Sequence, residues 1–114
     1  MAIKASAKVE PSWYVLEDED PDSSQATRFK IRPLTSGEQL EVLATFREGR
    51  PTMLTWRACF ERGVMEIQNV EDADGKPVRF AAQLLALPDL HVPILEVGAK
   101  IFDISWLTED ERKN

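Results

Sequence analysis

One cysteine, Cys59, has no partner for an internal disulfide and suits a reducing compartment. One histidine, His91, beside that single cysteine cannot build a zinc site without recruited carboxylates. No apolar run approaches the roughly 18–20 residues of a membrane span. The opening Met1-Ala2-Ile3-Lys4-Ala5-Ser6-Ala7-Lys8 is followed by no apolar stretch of the signal-peptide kind. Basic runs are equally scarce. The 14 Lys and Arg are scattered among 20 Asp and Glu, for a net charge of −6, and never run beyond Arg112-Lys113. Such a chain repels nucleic-acid phosphate, so no nucleic-acid partner is expected. There is no Gly-rich phosphate loop, no G-x-S-x-G and no dinucleotide fingerprint. These absences point to a cytosolic protein without cofactor, metal or chemistry of its own.

What is present reads as one small α+β domain. Hydrophobic residues form 43% of the 114, enough for a single core. Residues 1–11 show no periodicity and are expected to be a flexible N-terminus. Ser12 to Leu16 is aromatic and β-branched, and Thr27 to Leu34 alternates with Phe29 and Ile31 on one face; both read as strands. Between them Glu17-Asp18-Glu19-Asp20-Pro21-Asp22 has nothing apolar to bury, so a solvated loop closes a first hairpin. Thr35-Ser36-Gly37-Glu38 is a capping box. It opens a helix of about three turns, with Leu40, Leu43 and Ala44 on its inner face and Gly49 at its end. A second helix spans about 52–62, with Met53, Trp56 and Phe60 as its core stripe, Leu54 and Cys59 flanking, and Gly63 closing it.

Val64–Val70 and Lys76–Phe80 flank an Asp-Gly turn and predict a second hairpin. Ala81–Leu87 is a short helical run. A last long helix follows to about Ser105, with Leu90, Ile94, Val97, Ile101 and Ile104 as one seam and Pro93 in its first turn. The expected whole is a domain over 12–107 with two β-hairpins and about four helices. Residues 108–114 form a tail whose Thr108-Glu109-Asp110-Glu111 starts a second capping box, as at a junction to a longer form.

The candidate chemical residues all take plain readings. His91 is a surface or capping residue near a helix start. Cys59, among apolar neighbours, is an inert buried thiol. Asp72-Ala73-Asp74-Gly75 fails as a calcium loop, because Val70 and Ala81 would fall at ligand positions. Trp56 reads as core. Trp13 and Trp106 are either core-edge residues or contacts for a partner, since aromatics anchor interfaces. Trp106 and Leu107, apolar residues beyond the last helix, are assigned to a partner contact, with Phe102 adding an edge and Trp13 a further candidate.

Three segments, in this order, resemble the tail assembly chaperones of long-tailed bacteriophages: Phe29–Thr35, Gly63–Phe80 and Ile101–Asn114. They span most of residues 29–114. Many members of that family carry a Trp a few residues after the glycine matching Gly63, where this chain has Glu66-Ile67. The resemblance implies a non-enzymatic factor of the host bacterial cytoplasm. Such a factor binds tape-measure protein, and keeps it soluble while tail-tube protein assembles around it. Members of that family are often made in two lengths by translational frameshifting, the longer with an extra C-terminal domain. Self-association is compatible with this role. The rival class is an acidic inhibitor or nucleic-acid mimic, in which carboxylates 17–22, 71–74 and 109–111 imitate phosphates. Such a protein would bind a basic partner with steep salt dependence.

Overall fold

The computed structural model describes residues 10–106. Leu107, the second capping box and the remaining terminal residues lie outside the described residues. Three strands, β1 (Ser12–Val15), β2 (Arg28–Ile31) and β3 (Val64–Gln68), form an antiparallel sheet in that order. Among the described residues four helices complete the α+β domain: α1 (Ser36–Leu43), α2 (Met53–Gly63), α3 (Ala81–Leu85) and α4 (His91–Ser105). Phe29 and Ile31 on β2 and Ile67 on β3 bury their side chains, so this face of the sheet carries part of the core. From the helices come Val42, Cys59, Phe60, Leu84, Val97 and Ile101.

The first hairpin pairs Ser12 with Ile31 and Val15 with Arg28. Its acidic loop is tied down as well as solvated. Arg28 donates to the carbonyls of Pro21, Ser23 and Ala26, and Glu19 Oε1 accepts the Thr27 amide at 3.1 Å. The Tyr14 hydroxyl donates to Glu96 Oε2 at 2.6 Å, and the Glu17 amide donates to the same oxygen. Burial first, then that bond to Glu96, raises the Tyr14 pKa, so the phenol stays a donor fastening the hairpin to α4.

The second hairpin turns where expected, at Gly75 with φ +80°. Its return arm bonds to the first, Val78 N–H to Val70 O and Ile67 N–H to Arg79 O, without forming a strand. Pro77 has no amide to offer the ladder, and Asn69 at φ +65° bends the first arm. The main partner of β3 is therefore β2.

Helix α1 departs from expectation in length and in face. Its capping box is present: the Glu38 amide donates to Thr35 Oγ1, and the Thr35 amide to Glu38 Oε1. The helix stops at Leu43, because the Thr45 hydroxyl takes the Val42 carbonyl at 2.6 Å and shares a hydrogen bond with buried Thr55. Gly49, at φ +76° beside Glu48 at φ +53°, serves the tight turn between Arg47 and Arg50 instead of a helix end. Val42 faces inward, while Leu40 is 70% exposed and Leu43 and Ala44 also face out. The rotation is set by Glu38, clamped by Arg32, and by Gln39, whose amide donates to Ser105 O at 2.7 Å.

The Arg32–Glu38 pair gives the fold an acid sensitivity. Both guanidinium nitrogens reach the carboxylate, at 2.8 and 2.9 Å. This pairing above all, with the Thr35 bonds adding and burial opposing, lowers the Glu38 carboxyl from 4.5 to about 2. A carboxyl lowered in the folded state stabilises it above the unfolded pKa, and that contribution is lost as pH falls from 4.5 towards about 2. It amounts to at most ~3 kcal/mol. Urea unfolding of Glu38→Gln should show lower stability at neutral pH and a flatter loss across that acid window. Parallel pH profiles for the two proteins would exclude this role.

Candidate functional site

Helices α2 and α4 pack closely because small residues let them. Thr55, Ala58, Cys59 and Gly63 face inward along α2, and on α4 Gly98 sits beneath the Trp56 carbonyl. Gly63 is needed for this contact more than for ending the helix, since a Cβ there would lie 2.6 Å from Ile101 Cγ2. The small-residue stripe corrects the expected one. Phe60 is buried as expected, and Trp56 is half-buried against Phe102 in an edge-on contact at 5.2 Å. Met53 is 71% exposed and Leu54 55%, so neither belongs to the core.

The two outward residues begin one wall of an apolar groove of about 560 Å³, with Arg57 one turn further along α2. Leu85 and Leu87, at the end of α3 and just beyond it, line it as well. Leu90, His91, Ile94 and Leu95 at the head of α4 also line it, as does Asp89 just before that helix. The α4 seam is therefore unevenly covered. Val97 and Ile101 are fully buried, whereas Leu90 and Ile94 are only partly so. Asp89 adopts φ +61°, a left-handed conformation that Asp tolerates better than most residues, and this turn sets the start of α4. Pro93 lies in the first turn, as expected.

Both candidate reactive side chains occupy settings that match their plain readings. Cys59 is fully buried, and burial pushes its thiol up to about 12, far from a thiolate at neutral pH. His91 is exposed at the first position of α4, on the groove wall. Asp72 Oδ1 accepts the amides of Asp74 and Lys76, so this carboxylate oxygen supports its own turn.

Of the residues singled out from sequence, Phe102 and Trp106 come together. Their rings stack at 4.5 Å, within a cluster that also holds Phe46 and Trp56. Trp106 and Phe102 are both half-buried. Trp13 stands apart on β1, the outer strand, and is 44% exposed. Leu107 is outside the described residues. The groove itself is missed by sequence reasoning, because Met53, Leu54, Leu90 and Ile94 sit at spacings that also describe a core stripe. A hint was available in Thr55, Cys59 and Gly63, small residues four apart that mark a close helix contact on a different face.

Comparison of the chain with protein-family models, with curated proteins and with solved structures gives no match.

Proposed function

We infer that this protein is a non-enzymatic chaperone of phage tail assembly, acting in the host bacterial cytoplasm and binding tape-measure protein, tail-tube protein or both. The reading rests on the family resemblance of residues 29–114. The observation that carries it is the groove, which exposed Met53 and Leu54 line together with Leu85, Leu90 and Ile94. An open apolar surface with flexible methionine at its rim suits a client that presents apolar segments. The chain's net charge of −6 favours the solubility of such a complex.

The mimic alternative has less support, because it needs free carboxylates. Glu19, Asp20 and Asp72 each accept backbone amides of their own loops. Among the described residues no helix is long and apolar enough to cross a membrane.

Co-expression with tape-measure fragments tests the function. The intact chain should raise the soluble yield of at least one fragment, with little change on adding salt. Met53→Glu combined with Leu54→Glu should keep the melting temperature and weaken binding at least tenfold, about 1.4 kcal/mol. Binding only to basic proteins, abolished by salt, would replace this reading with the mimic.

A further inference from the structure

The groove carries both members of an ion pair without pairing them. Arg57 on α2 and Asp89 just before α4 line it together with apolar side chains. The ion pairs found among the described residues join Arg32 to Glu38 and Arg62 to Glu41 and Glu61, and none involves Arg57 or Asp89. The same face supplies the projections as well as the recess: Met53 and Leu54 stand out beside the cavity they border.

A patch that carries cation, anion, projections and recess together can meet a second copy of itself. That is the requirement of a two-fold contact, in which residue i meets j and j meets i. A foreign apolar segment needs only the hole.

We propose that a second copy of this chain occupies the groove in the free protein. The two copies are related by a two-fold axis that sets Arg57 of each protomer against Asp89 of the other and seats Met53 and Leu54 in the opposite recess. Charge complementarity selects this occupant, and the exposed apolar wall supplies the area that is hidden. Because the client is assigned to the same groove, self-association and client binding exclude each other. That consequence, unlike the dimer itself, rests on the chaperone reading.

Sedimentation velocity on the full chain over a wide concentration range tests the proposal. A reversible monomer–dimer equilibrium is expected. Arg57→Glu and Asp89→Asn should each raise the dimer Kd at least tenfold, with circular dichroism unchanged, since Arg57 and Asp89 are exposed. The double variant Arg57→Glu with Asp89→Arg restores opposite charges and should return the Kd towards the native value. If arginine disturbs the left-handed backbone at position 89, hydrogen exchange on the native chain decides instead. Amides of residues 53–57 and 87–95, Pro88 and Pro93 excepted, should then gain protection as concentration rises.

A chain that stays monomeric at every concentration overturns the proposal. So does a dimer indifferent to both single variants, or one protected elsewhere. Client binding by a strictly monomeric chain would remove the dimer and leave the chaperone reading standing. A dimer with these properties that solubilises no tape-measure fragment would do the reverse.

Discussion

Gly98→Ala is expected to destabilise the protein by about 3 kcal/mol or more, at or beyond the upper end of the usual overpacking range. A Cβ at this position would lie 2.1 Å from the Trp56 carbonyl oxygen and 2.7 Å from its carbonyl carbon. Both are backbone atoms of a packed helix, so no side-chain rotation relieves the clash. Intrinsic helix preference works in the opposite direction, favouring alanine by about 1 kcal/mol. The clash outweighs it, because relief requires moving α2 off α4 and loosening Val97, Ile101 and Cys59 together. Urea unfolding should show a large drop in midpoint or no folded baseline at all. Gly37→Ala is the control. Nothing lies within 4 Å of a Cβ there, and the residue sits in α1 with ordinary helical φ, so stability should rise by a few tenths of a kcal/mol. Equal behaviour of the two variants would mean that α2 and α4 are farther apart than described.

Phe60→Ala should cost about 3–5 kcal/mol, a large share of the roughly 5–15 kcal/mol that holds a domain folded. Its ring is fully buried and meets Phe29 edge-on at 6.0 Å, joining α2 to the middle strand. Truncation would leave a cavity between helix and sheet that neither rigid element can collapse into. Met53→Ala, two turns earlier on the same helix, should change stability by less than about 0.5 kcal/mol. Thermal melts of the two variants give the contrast directly. A large loss at Met53 would place that residue in the core and close the groove.

The contrast also marks the boundary between local and long-range information. Much of the fold is legible in sequence where the cause acts within a few residues. The Thr35–Glu38 capping box, the Gly75 turn, Pro93 at the head of α4 and the alternation around Phe29 and Ile31 are all of this kind. Each is satisfied by neighbours in the chain, so the residues that cause it are the residues one reads. The strand order β1-β2-β3 added one long-range pairing, β2 to β3, that neither hairpin alone implies.

The faces of α1 and α2 were decided elsewhere. Leu40 and Met53 carry the right hydrophobicity and helical spacing to be core, and they are exposed. Val42 and Cys59 take those places because Ser105 and Gly98, distant in sequence, with nearby Arg32, fix how each helix is rotated. Periodicity says that a helix has an apolar side, yet on a short helix rich in apolar residues two sides qualify. Only the helix packed against it chooses between them. The groove is the remainder of that choice: the apolar residues α2 and α4 could not turn towards each other.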